Sequence, residues 1–225
     1  RRPPRSTLFP YTTLFRSRLW EEQGKQATRA FIERVMHFYV LFALAVVTCM
    51  CLVGSDLLVL LASQKYAAGA AIIPLTIVAM VVAGSMSFLA AGLYLAKQTQ
   101  LLMLLLVSSA ILNISLNLVL VPIYGLMGSA ISTLISCVGL CVGSAWLGSR
   151  TLPVSVPVSS LCKFSLCAFA AYAAANWGIS STGVLGIVEK IAGGAMVFAG
   201  AAMLVDKQCR DLVRTAWGHL RPATH

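Results

Sequence analysis

The chain has 225 residues, of which 59% are hydrophobic and 11% charged, with a formal net charge of +10. Globular domains run at roughly 45–50% apolar and about 25% charged, so a water-soluble fold of this length would lack the charges to cover its surface. The bases lie at the chain ends and in short connections between apolar runs, a distribution that orients membrane proteins and argues against nucleic-acid binding.

Residues 1–17, from Arg1 to Ser17, follow neither helical nor strand periodicity and lack the apolar core and small-residue cleavage site of a signal peptide. They closely resemble translated sequencing-adapter read-through and are expected to be non-native, with upstream protein missing. Setting them aside removes four arginines and no acids, taking the net charge from +10 to +6. Residues 18–34 mix charges, with Glu21, Glu22, Lys25, Arg29 and Glu33, and are predicted to form a polar cytoplasmic helix leading into the bilayer.

Six spans are predicted over residues 35–205. The first, 35–58, is uncharged until Asp56. The second, 66–96, lies between Lys65 and Lys97; it is longer than a bilayer requires, so it should tilt or protrude, and Pro74 is expected to kink it. From Gln98 to Ser149 there are 52 residues without one Asp, Glu, Lys or Arg. A crossing needs about 20 apolar residues, so this stretch holds a third span, 100–121, and a fourth, 126–147, joined at Pro122 and Gly125. Pro153 and Pro157 mark 150–157 as a loop. A fifth span, 158–179, and a sixth, 186–205, follow; Glu189 and Lys190 near the start of the sixth suit an interface better than depth. Residues 206–225 form a basic tail. The fold class is therefore an all-α integral membrane protein, a polytopic bundle of about six transmembrane helices.

Nearly all of the seven cysteines lie in or beside apolar runs, where they act as small hydrophobes. Cys137 and Cys141 share a helical face, but no His or acid stands near them in sequence, so no metal site is expected. Asn113 and Asn117 lie four apart on one face of the third span. They serve either to hold helices together, amide to backbone or Ser, or to line a wet cavity. Ser85, Ser87, Tyr94, Gln98 and Gln100 gather toward one end of the second span. Lys97 beside them is placed to meet an anionic headgroup or phosphate, or simply to orient the chain. His37 is expected at an interface. Gly128, Ser129, Ala130, Ser132, Thr133, Gly139 and Gly143 give the fourth span a face for close packing, as Gly193, Gly194 and Gly200 do for the sixth.

The run 110–136, with Asn113 and Asn117 in one helix, Ile123, Tyr124 and Gly125 at the turn after Pro122, and Gly128-Ser129-Ala130 opening the next helix, resembles a recurring stretch of the Wzx-type polysaccharide (O-antigen) flippases. These belong to the multidrug/oligosaccharidyl-lipid/polysaccharide exporter superfamily. The family pattern is an Asn-containing helix, an Ile-Pro-x-x-Gly turn and a Gly-Ala-Ala-x-x-Thr helix start. Gln64-Lys65-Tyr66-Ala67-Ala68-Gly69-Ala70 and Gly92-Leu93-Tyr94-Leu95-Ala96-Lys97 resemble flanking family segments, and the likeness covers residues 34–148, half the chain. The resemblance implies the C-terminal lobe of a 12–14-helix exporter in the bacterial inner membrane. Such proteins flip undecaprenyl-pyrophosphate-linked oligosaccharide by alternating access. It implies a transporter, not an enzyme, with no cofactor and no metal. Its partners would be the lipid-linked oligosaccharide, membrane lipids and the missing N-terminal lobe, with no nucleic acid. Substrate-path candidates are Asn113, Asn117, Ser85, Tyr94 and Lys97. Family cavities commonly carry charges, and these spans hold none at depth.

Two alternatives stay within the superfamily, a lipid II flippase or a multidrug antiporter. An antiporter wants a buried carboxylate, and only Asp56 and Glu189, near span ends, are on offer. A membrane-embedded glycosyltransferase or ligase needs acidic or His-bearing loops, and the loops here are short and nearly free of acid.

Orientation follows from the bases. Arg18, Lys25, Arg29, Arg34, Lys97, Arg150, Lys163, Lys207, Arg210, Arg214 and Arg221 share one side, against Lys65 and Lys190 on the other, which puts both ends of the chain in the cytoplasm. Reporter fusions after residue 34 and at the C-terminus are therefore expected to read the same, cytoplasmic side; one fusion on each side would require an odd number of crossings.

Overall fold

The computed structural model describes residues 11–178 and 183–211. It is all-α, without a strand among those residues: α1 Tyr11–Ala62, a 3-10 segment Gln64–Ile72, α2 Ile73–Leu89, α3 Ala91–Leu95, α4 Thr99–Tyr124, α5 Leu126–Ser149, α6 Val158–Gly178 and α7 Gly183–Val205. Six helical spans among the described residues are long and apolar enough to cross a membrane. The protein is a multi-pass membrane protein. The basic tail, expected over 206–225, lies outside the described residues from 212 on, as does the adapter-like start up to residue 10. Residues 11–17 are helical.

Three elements differ from their sequence expectation. Residues 18–34 and the first span are one helix, interrupted only at Gly24, whose φ of 78° and ψ of −177° are non-helical. The stretch Gly24–Ala62 is 39 residues, about 58 Å at 1.5 Å per residue, nearly twice the hydrocarbon thickness. Its charged first part, with Lys25, Arg29, Glu33 and Arg34, therefore projects from the bilayer. The second span is not one kinked helix. Pro74 is the second residue of α2, where its missing N–H costs nothing because first-turn donors have no intrahelical partner. A helical break at Ala90 then sets off the short α3. Finally, the C-terminal segment does not begin as loose tail: Asp206 Oδ1 accepts the backbone N–H groups of Gln208 (2.7 Å) and Cys209 (3.3 Å), capping the helical turn 207–211.

The described chain forms two compact units, residues up to 38 with 79–157, and residues 39–78 with 158 onward. In the first, α4 and α5 form an antiparallel hairpin. Its turn is Gly125, at φ 58°, ψ −135°, a region open to glycine and strained for side-chain-bearing residues. Gly128 then lies so close to the Leu120 carbonyl that a Cβ would overlap it, and Gly143 lies under Leu105. Ser109 Oγ donates to Ser136 O at 3.0 Å across the hairpin. Ser132 and Ser136 are buried on this same side of α5, whereas the buried Cys141, Ser144 and Gly148 line its opposite side. Cys141 Sγ donates to Val82 O of α2 at 2.9 Å, and Gly148 touches both Leu89 O and the backbone at Gly92. Here backbone meets backbone because no side chain intervenes.

The α5–α6 connector, residues 150–157, is tied down as well. Leu152 is buried with Ile32 and Ala91. Glu33 Oε1 accepts from Ser155 N (3.0 Å), Ser155 Oγ (2.6 Å) and Arg29 Nε (2.8 Å). Burial alone would push the Glu33 carboxyl up, but these donors outweigh it and hold the group below the usual carboxylate range.

In the second unit, Cys167 and Ala171 of α6 pack against Phe198 of α7, with Leu41, Leu44 and Ala45 of α1 around them. Further along, Leu52 and Val53 pack with Ala175 and Ile187. Gly194 lies beneath Leu52 Cδ1, 2.7 Å from where a Cβ would stand.

The glycines can be ranked by these contacts. Gly148→Leu drives a side chain into backbone and should destabilise by about 1–3 kcal/mol, the ordinary overpacking penalty, lowering the thermal midpoint in detergent. Gly200, with nothing within 4 Å of its Cβ direction, should accept Ala without loss. Equal midpoints for the two variants would contradict the packing described.

Candidate functional site

The five sequence-predicted residues fall in three places within the first unit. Asn113 and Asn117 lie near the middle of α4. The half-buried positions of that helix are Leu101, Leu102, Leu105, Ser109, Asn113, Leu116, Asn117 and Leu120, spaced by three and four, so they form one stripe. The Ser109 bond and the Gly143–Leu105 contact identify it as the stripe toward α5. The two amides thus sit at the edge of the hairpin seam. Asn117 Nδ2 donates to Asn113 O at 2.9 Å and to Asn113 Oδ1 at 3.0 Å. That leaves Asn113 Nδ2 and Asn117 Oδ1, one donor and one acceptor, without a bond among the described residues.

Ser85 stands at the α2–α5 contact, its Oγ donating to Val82 O at 2.7 Å and lying 3.4 Å from Cys141 Sγ. Its hydroxyl is occupied by packing. Tyr94 and Lys97 are both exposed at the end of α3. Lys97 has φ 55° and closes the turn through its N–H to Tyr94 O at 3.1 Å. A left-handed lysine costs roughly 1–2 kcal/mol over a helical one, and it places a cation at a helix C-terminus, where the peptide dipole favours positive charge. Among the described residues no hydrogen bond joins the amide pair to Ser85, Tyr94 or Lys97. The five are three local arrangements.

Other hydroxyls in the spans are satisfied within their own helices: Thr48 by Leu44 O, Thr76 by Ile72 O, Ser132 by Gly128 O, Thr133 by Ser129 O and Ser136 by Ser132 O, at 2.7–2.9 Å. Ser144 departs from this: it is fully buried and its Oγ has no partner among the described residues. His37, expected at an interface, is buried.

Sequence reasoning took Asp56 and Lys190 as separate residues near span ends. In the second unit they meet: Lys190 Nζ donates to Asp56 Oδ2 at 2.8 Å, 134 residues away in sequence. The one available signal was that the two are charges of opposite sign, each near a span end.

Comparison of the chain with protein-family models, with curated proteins and with solved structures finds no match.

The two amides bond to each other within α4, so their loss should be small and coupled. An amide pair at i, i+4 on one helix contributes about 0.2–0.5 kcal/mol. Asn113→Ala, Asn117→Ala and the double variant, compared by unfolding in mixed micelles, should show a coupling of that order between the two positions. Strict additivity would mean the Asn113–Asn117 bond contributes nothing.

Proposed function

We propose that this chain is the C-terminal lobe of a bacterial inner-membrane flippase that moves an undecaprenyl-pyrophosphate-linked oligosaccharide by alternating access, with both ends of the chain in the cytoplasm. The observation that carries the reading is the charge-free α4–α5 hairpin bearing the flippase-like run. It has two amides at mid-span, a glycine turn after Pro122, and a small-residue helix start after Gly125. Asn113 and Asn117 spend only part of their bonding capacity on each other. The unspent donor and acceptor, at mid-helix, are suited to a polar neighbour such as a sugar hydroxyl or an amide of another helix.

The physical task fits that surface. A sugar hydroxyl stripped of water in hydrocarbon costs roughly 4–8 kcal/mol if unpaired. A path lined by neutral donors and acceptors removes most of that barrier without binding the sugar too tightly to release. Tyr94 and Lys97, exposed at one membrane face, are placed to meet the headgroup as it enters or leaves. The antiporter alternative needs a carboxylate free to exchange a cation, and Asp56 is already paired with Lys190. The enzyme alternative needs acidic or histidine-bearing loops, and the described connections between spans carry neither acid nor histidine.

Expression of the complete gene in cells lacking their own flippase tests the proposal. Surface polysaccharide should return when the repeat unit matches, and Asn113→Leu/Asn117→Leu should cut it several-fold at unchanged protein level. Failure across all matching repeat units would refute the flippase reading.

A further inference from the structure

Lys190 is the sixth residue of the Leu185–Val205 span, so it lies about 8 Å inside the end of that span. Asp56 lies six residues before the end of α1, about 9 Å along the helix. Charges at such depth insert poorly unless paired or drawn back to the interface. Lysine commonly escapes by extending its ammonium toward water, which would leave the side chain largely exposed. Here the Lys190 side chain is only 20% exposed and turned onto Asp56, which is 42% exposed.

The pair has a packing neighbour along the same two helices. One turn deeper, Leu52 of α1 meets Gly194 of α7, and Leu52, Val53, Ala175 of α6 and Ile187 form one buried cluster. Glu189, the other charge at this end of α7, is exposed on the helix surface. Lys190 is also one of only two bases assigned to the lysine-poor side, where an unneutralised cation works against the orientation set by the other eleven.

We infer that Asp56 is the internal counter-charge that lets α7 insert: the Asp56–Lys190 pair couples the crossing of α7 to the prior presence of α1. Asp56 is a positioning residue for the membrane topology of the chain, and this role is independent of what the protein transports. Removing Asp56 leaves Lys190 unpaired within the apolar layer and strands α7 on one side. Removing both charges leaves α7 apolar at that position and free to insert.

The experiment fuses a side-specific reporter to the C-terminus of the full chain and compares variants with the parent. Asp56→Ala should raise the fraction of C-termini on the opposite side several-fold. Asp56→Ala/Lys190→Leu and the exchanged pair Asp56→Lys/Lys190→Asp should return it to the parental value. A parental distribution for Asp56→Ala overturns the inference. So does a shift that Lys190→Leu fails to reverse, since Asp56 would then act on something other than Lys190. Because each comparison is made against the parent chain, a negative transport assay leaves this result readable.

Discussion

Hydrocarbon supplies no hydrogen-bond partners, so every polar group that enters the bilayer must be satisfied by the protein itself. Most features of this chain answer that requirement. Helices close the backbone. Hydroxyls of Thr48, Thr76, Ser132, Thr133 and Ser136 fold back onto carbonyls one turn earlier. Cys141 does the same across helices, onto Val82 O. The Asn113 and Asn117 amides turn on each other, and the Lys190 ammonium turns on Asp56. Proline is tolerated only where the constraint relaxes: Pro74 in a first turn, Pro122 in the last turn before Gly125.

The same constraint explains how the helices adhere. Lipid tails are as apolar as leucine, so burying leucine between helices gains little over leaving it in lipid. Close contact must come from shape. In the first unit it comes from glycine and serine on α5, which admit the backbones of α2 and α3 at Gly148 and the end of α4 at Gly128. Helix α4 is the most open of these: none of its residues is buried, and most of its large side chains outside the stripe toward α5 are exposed. A soluble helix with that exposure would aggregate, whereas in a bilayer it is the ordinary lipid-facing surface.

Outside the apolar layer ordinary aqueous rules return. The Glu33 carboxylate gathers Ser155 and Arg29, and the connector after α5 is held by this cluster together with buried Leu152. Asp206 caps a helical turn as it would in any soluble protein. Arg150 lies 4.4 Å over the Trp146 ring, a pairing of cation and aromatic typical of the membrane–water boundary.

Membrane residence, the six crossings and the Gly125 hairpin were legible in the sequence, because each depends on local quantities: a run of apolar residues, a missing charge, a proline near a glycine. Element boundaries were less so. Where Gly24–Ala62 leaves the bilayer, and where the second span breaks into a 3-10 segment, α2 and α3, depends on helix continuation and packing that hydropathy does not register. The site was legible only as a set of residue types. Asn113 and Asn117 were marked, but which stripe of α4 they occupy could not be read, since a helix apolar on every side carries no periodicity to point it. Ser85 looked available until Val82 O and Cys141 claimed it. The meeting of Asp56 with Lys190 was beyond local reading altogether, because it requires the register of two helices 134 residues apart. Only the tertiary structure decides that register, through the approach of Gly194 to Leu52 one turn away.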